Sequence, residues 1–306
     1  MIFAPPKNTG LTLGLAALLG LSGLGGLLII FVRTASPSLL TFIAFVLIIV
    51  ISAALIAVVY GVFGLARARY ILSRNALVVD WGWRREVIPM GRLGEVQLGA
   101  AIDPALTLRP RGLNWPGQVT GLAPWREGDE VEVLATTPAL SGLVLIEYPG
   151  GAGGLALSPA DPAAFVQTLN DLRAAGVEDA VEPESRRAGL GDWPIWRDRP
   201  MAILVALCGL SVVALVGYIT LIYPQLPAQL ALHFDAQGQP NRFGPPAGLF
   251  LLPIIAGLVW LVNTLGGLWL HHRQTERIGA YLLFGATALI QGLLWAATIG
   301  LLTAGR

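Results

Sequence analysis

Five uninterrupted stretches of the chain, 11–32, 39–65, 201–223, 247–270 and 279–304, contain no Asp, Glu, Lys or Arg. About 20 apolar residues in a helix cross the roughly 30 Å of a bilayer's hydrocarbon, so each stretch is long enough to span. The first is expected to be a retained span rather than a cleaved leader. Its 22 apolar residues exceed the roughly 7–15 of a signal-peptide core, and no A-x-A site follows. Of the 39 Lys, Arg, Asp and Glu residues, 31 fall within 66–199, two in 1–65 and six in 200–306. Two apolar blocks flanking one charged insert give the expected fold class: a membrane α-helical protein of five transmembrane helices with one inserted soluble domain. The expected organisation is two spans in 1–69, a soluble domain at 70–175, a polar linker at 176–200, and three spans in 201–306 with an outer loop at 224–246.

Arginine and lysine in the flanks set the orientation. With the N-terminus inside, the inner flanks carry Lys7, Arg67, Arg69, Arg74, Arg186, Arg187, Arg197, Arg199, Arg273 and Arg277, against Arg33, Arg242 and Arg306 outside. Trp193 and Trp196 before the third span and Tyr218 and Tyr223 at its end fit interfacial belts. The expectation is a multi-pass inner-membrane protein with its N-terminus and charged domain cytoplasmic and its C-terminus outside.

Within 70–160, short β-prone runs (76–81, 85–88, 95–98, 131–134, 142–146) alternate with Pro- and Gly-rich turns. Gly82 between the first two suggests a hairpin. Asp161 then Pro162 mark a helix start, and Phe165, Val166, Leu169 and Leu172 give that helix one apolar stripe. Strands followed by one helix predict a small β-barrel or sandwich capped by a C-terminal helix. The linker 176–199 lacks apolar periodicity and reads as a flexible connection.

The residues Tyr70–Leu77, Trp81–Pro89, Gly112–Gly117 and the Ser158-Pro-Ala-Asp-Pro segment leading to Phe165 resemble bacterial pleckstrin-homology-like (PH-like) domains. The resemblance implies a split barrel closed by a helix. It also suggests lipid head-group binding, yet 70–175 holds eight arginines against eleven acidic residues. Only Arg84 and Arg85 are adjacent, and Glu86 follows them. Two arginines do not make a lipid site; the pair is expected at a solvated hairpin tip, and the domain to bind a protein partner or itself.

The outer loop runs Tyr223-Pro-Gln-Leu-Pro-Ala-Gln-Leu-Ala-Leu-His-Phe-Asp-Ala-Gln-Gly-Gln-Pro-Asn-Arg-Phe-Gly244. It resembles a short bacterial family of unknown function with the signature LPxxIPxHF…G…D between two spans, found in membrane proteins of the Sdp toxin-immunity type. Leu226, Pro227, His233, Phe234 and Gly238 match and are the ligand or recognition candidates. Ala231, Asn241 and Pro246 replace a proline, an aspartate and a lysine, which removes any charge pair the last two made. The loop is expected to be rigid and pressed on the membrane surface. His233, the outer histidine, has three readings: packing with a hydrogen bond at the interface, ligand or peptide recognition, and pH sensing near 6.5.

Asn263 and Gln291 are the polar residues inside the spans and suit interhelical hydrogen bonds; Pro253 is expected to kink the fourth span. No ionisable group sits at mid-membrane, which disfavours transport. His271-His272-Arg273-Gln274-Thr275-Glu276-Arg277 departs from H-E-x-x-H and reads as a polar turn. No P-loop, dinucleotide fingerprint or nucleophile elbow occurs, Cys208 stands alone, and net charge +1 exerts no pull on nucleic acid. The expectation is therefore a non-enzymatic membrane protein without catalytic residue, metal or cofactor. Its partners would be the lipid bilayer, a protein or second copy at 70–175, and an extracytoplasmic peptide. Its role would be ligand or peptide recognition, or envelope-stress or toxin immunity; the alternatives are a transporter or its accessory subunit, and an oligomeric scaffold.

Overall fold

Length and apolarity dictate the long helices, and short alternating runs the strands. The computed structural model describes residues 1–304 except 104, 113, 126–128, 149–152, 188–197, 236, 238 and 273–276. In chain order come β1 (Ile2–Phe3), α1 (Asn8–Thr34), α2 (Leu39–Ala66), β2 (Arg69–Leu72), β3 (Ala76–Trp81), β4 (Arg84–Pro89), β5 (Val96–Leu98) and the single turn α3 (Gly99–Ile102). Then follow β6 (Val119–Pro124), β7 (Glu130–Ala135), β8 (Val144–Tyr148), β9 (Gly153–Leu157), α4 (Pro162–Ala174) and β10 (Glu184–Arg187). The chain continues with α5 (Arg199–Ile222), β11 (Leu230–Phe234), β12 (Pro240–Gly244), α6 (Leu251–His272) and α7 (Arg277–Ala304). Five of the helices are long and apolar enough to cross a membrane, near the expected boundaries. The described chain divides into two units, Met1–Leu24 with Ile51–Gly189, and Gly25–Val50 with Leu190–Arg306.

The first unit holds two five-stranded sheets, ordered β1-β2-β3-β4-β10 and β5-β8-β9-β7-β6. Side chains alternate across a strand. Tyr70 and Leu72 of β2 and Leu77 and Val79 of β3 therefore share a core with Leu134, Val144, Ile146, Leu155 and Leu157 of the second sheet. Phe165 and Leu169 of α4 are fully buried in the same core, with the Phe3 ring edge-on to Phe165 at 5.1 Å. Asp161 caps α4 by accepting from the Ala164 amide at 2.9 Å. The second sheet is apolar on both faces, since Val131, Val133, Leu145 and Ala156 pack into a separate cluster with Leu108, Leu140 and Leu143. That is why Val144, Leu145 and Ile146 form a continuous apolar run.

Two expectations need correction, and the structure adds a strand that they lack. Among the described residues the strands form two separate sheets with no closed barrel, so of barrel and sandwich the barrel falls. The linker supplies a strand: Glu184–Arg187 pairs antiparallel with β4 from Val87 back to Arg84. The N-terminal Ile2–Phe3, too short to show a period, pairs with Ile71 and Tyr70. Pairing with an existing sheet edge needs backbone rather than pattern, so neither strand shows an alternating apolar pattern.

The Gly112–Gly117 segment has a mechanical reason. Gly117 has φ +89°, and a Cβ there would lie 2.3 Å from the Gly10 amide nitrogen, so backbone meets backbone where α1 begins. The Trp115 indole N–H donates to the Gly10 carbonyl at 3.0 Å. Trp115→Phe keeps an aromatic ring, though a smaller one, and removes this bond; the expected cost is about 1 kcal/mol or somewhat more, read as a small fall in the melting temperature of the full chain in detergent.

In the second unit, α5, α6 and α7 are cross-tied by polar groups. Trp260 donates to the Val205 carbonyl at 3.0 Å, Trp295 to Ser211 Oγ at 3.1 Å, and Asn263 Nδ2 to Thr287 Oγ1 at 2.9 Å. Asn263 thus makes the expected interhelical bond. Gln291 is buried, and its Nε2 has no partner among the described residues. Pro253 is the third residue of α6, just after a 3-10 turn at Pro246–Phe250 that opens the fourth span, so its missing N–H costs α6 no intrahelical bond.

Candidate functional site

The stretch between α5 and α6, read from sequence as a loop, contains a two-stranded antiparallel hairpin. Leu230 pairs with Gly244, Ala231 with Phe243, His233 with Arg242 and Phe234 with Pro240, with irregularities on both sides of His233. Leu230 and Ala231 are buried. Leu230 joins Leu215, Ile219, Leu249 and Ala256, with Leu226, Leu232 and Trp295 packed around them. One end of the hairpin is therefore rooted on the helices that flank it.

The other end faces outward. β12 is exposed from Pro240 to Phe243, and Phe243 is 59% exposed. His233 is exposed, with Nδ1 2.7 Å from Asn241 Oδ1. A carbonyl oxygen only accepts, so Nδ1 carries the hydrogen and a neutral ring turns its Nε2 lone pair outward. Asp235 Oδ1 accepts from the Gln239 amide at 2.7 Å and the Gln237 amide at 3.0 Å. The Asp235 amide donates to the Gln239 carbonyl at 2.9 Å, which fixes the turn.

The five recognition candidates separate. Leu226 belongs to the apolar root, Pro227 is exposed just before the hairpin, and His233 stands on the outward part. Phe234 lies in β11, and Gly238 falls outside the described residues. Sequence reasoning marked Asn241 only as a departure from a pattern; the structure makes it the partner of His233.

The PH-like pair also separates. Gly82, with φ +67°, and Trp83 form the β3–β4 turn, and Arg84 follows opposite Trp81. The Arg84 side chain is not solvated: at 16% exposure it pairs with Glu86 at 2.9 Å and with Glu132 of the second sheet. Burial works against the guanidinium charge, but the hydrogen bonds and charges of Glu132 and Glu86 outweigh it and hold the group firmly cationic. Arg85 is half exposed and 3.8 Å from Asp80.

The structure adds a cluster that sequence reasoning missed. Asp198 caps α5 by accepting from the Met201 amide at 3.4 Å. Its Oδ1 also accepts from the Tyr281 hydroxyl at 2.8 Å, and its Oδ2 lies 3.1 Å from His271 Nε2. His271, expected in a polar turn, lies in the last turn of α6 and is fully buried. An Asp two residues before Pro200, ahead of an apolar run, was the available signal.

Residues 68–173 match the family model described as bacterial PH domain. Residues 210–257, which contain the whole hairpin, match the model of a domain of unknown function, DUF1648. No curated protein and no solved structure matches the chain.

Proposed function

We propose that this membrane protein, which carries a PH-like and a DUF1648 segment, is a non-catalytic recognition protein. In this reading its β11–β12 hairpin receives an extracytoplasmic peptide, in a toxin-immunity or envelope-protection role. The observation that carries it is the hairpin's two-ended construction: Leu230 and Ala231 hold the root rigidly, while His233, oriented by Asn241, and the exposed β12 form an outward face. An extended peptide laid along such a strand gains main-chain hydrogen bonds, with side chains supplying selectivity. The ten-to-three excess of Lys and Arg in alternate flanks supports placing the hairpin outside and the PH-like domain in the cytoplasm.

The test is a challenge assay in a susceptible bacterial host, with the wild type, His233→Ala and a 70–175 deletion at matched membrane levels against titrated membrane-active peptides. The wild type is expected to raise the tolerated peptide concentration by about tenfold, the equivalent of about 1.4 kcal/mol of peptide capture. His233→Ala is expected to return it to the empty-vector level. Absence of protection by the wild type against every peptide, or full protection by His233→Ala, overturns the reading.

A further inference from the structure

The geometry points to a binding site for the phosphate of an anionic phospholipid head group, in a groove of about 610 Å³ where the ends of α1 and α2 meet the β3–β4 hairpin. Six cationic side chains line it: Lys7, Arg67, Arg69, Arg84, Arg85 and Arg186; Asp80 is the acidic residue of its wall. Arg84 is committed to Glu86 and Glu132, and Arg186 pairs with Glu184. The others are in excess. Arg69 and Arg85 share the single Asp80 carboxylate, at 2.7 and 3.8 Å. Lys7 donates one hydrogen to the Ala66 carbonyl at 2.8 Å, which leaves two of its three N–H groups. The Arg67 guanidinium lies 5.2 Å over the Phe63 ring. Among the described residues neither Lys7 nor Arg67 has a carboxylate partner.

Three observations favour a lipid phosphate over a free anion. Lys7 stands immediately before one membrane-long helix, and Arg67 and Arg69 immediately follow another, which puts the cations at head-group depth. The hairpin tip touches the second helix: a Cβ on Gly82 would lie 2.7 Å from Gly64 Cα. Beside the groove, Trp83 is 56% exposed and stacks on Phe63 at 4.8 Å, an aromatic placed where the bilayer interface favours one. The site is independent of the hairpin reading above. Lys7, Arg67 and Arg186 lie outside the segment matched as a PH domain, which is why the acidic balance of 70–175 conceals it.

The test is native mass spectrometry of the full chain in neutral detergent, titrated with phosphatidylglycerol, phosphatidylcholine or glycerol 3-phosphate. Phosphatidylglycerol is expected to bind at least tenfold more tightly than phosphatidylcholine. Each cation near an anionic surface is worth about fivefold, so Lys7→Gln with Arg67→Gln should weaken phosphatidylglycerol by about 25-fold and leave phosphatidylcholine unchanged. Arg67→Lys, which keeps the charge, should retain most of the affinity and guards against misfolding of the double variant. Arg74→Gln, outside the groove, should bind as the wild type does. Equal affinity for the two lipids, an unaffected double variant, or glycerol 3-phosphate binding as tightly as phosphatidylglycerol overturns the proposal; the last result would make this a site for a soluble phosphate.

Discussion

Arg84→Ala is expected to destabilise the PH-like domain by about 3–5 kcal/mol, whereas Arg85→Ala, its sequence neighbour, should cost under about 1 kcal/mol. The difference is burial. Arg84 sits at 16% exposure with two carboxylates from different sheets, Glu86 and Glu132, at 9% and 13%. Removing one member of a buried ion pair costs about this much, because the remaining charges stay desolvated without that partner. Arg85 is half exposed at 3.8 Å from Asp80, the kind of surface pair that contributes little. Arg84→Lys should recover only part of the loss, since a lone ammonium cannot match a guanidinium fork bridging two carboxylates. Thermal melting of the full chain in detergent, followed by the sheet signal, reads the comparison; the expected fall for Arg84→Ala is on the order of 10 °C. Equal small shifts for the two alanine variants would mean that Arg84 is solvated and that the sheets are joined by apolar packing alone.

This contrast also marks the limit of what the sequence shows. Spans are legible because charge-free length is a one-dimensional property, and the third span could be bounded within a few residues. Strands β3, β4 and β7 are legible because β-prone residues cluster between turn residues. Residues Glu184–Arg187 are not: a strand of four polar residues exists only because β4 offers an edge. Arg84 and Arg85 are indistinguishable as letters, and what separates them is Glu132, 48 residues away. The same holds for the hairpin. His233 and Asn241 are eight apart in sequence, and only the antiparallel register brings an imidazole nitrogen to an amide oxygen. Sequence reasoning found both ends of that contact, one as a match and one as a departure, without the geometry that joins them.

The basic groove follows the same logic on a larger scale. Lys7, the Arg67/Arg69 pair, Arg85 and Arg186 come from four separate stretches of sequence, and each alone reads as an ordinary flanking or hairpin charge. Only the meeting of two helix ends with a hairpin and an added strand concentrates them around one carboxylate.

Asp198→Asn is expected to produce a pH-dependent loss of stability in the second unit. Asp198 caps α5 and accepts from the Tyr281 hydroxyl and the His271 ring, so it ties the start of α5 to the end of α6 and the start of α7. Burial pushes its carboxyl up, but the hydrogen bonds from Tyr281, His271 and the Met201 amide outweigh that and hold it below its ordinary value. A carboxyl whose pKa is depressed by folding stabilises the folded state at every pH above its unfolded value of about 3.9. That contribution disappears as pH falls through the lower folded value. Asparagine preserves the cap and one acceptor but carries no charge. Between about pH 5 and 8 the variant should therefore melt below the wild type by the equivalent of about 1–3 kcal/mol, with the two curves converging below about pH 4. Asp198→Ala removes the cap as well, worth about 1 kcal/mol, and takes from buried His271 its Nε2 partner; its deficit should persist at acid pH. Melting curves of the three full-length proteins across that range decide the matter. A constant gap for Asp198→Asn would mean that the carboxylate charge contributes nothing and that the cluster holds the helix ends together by hydrogen-bond geometry alone.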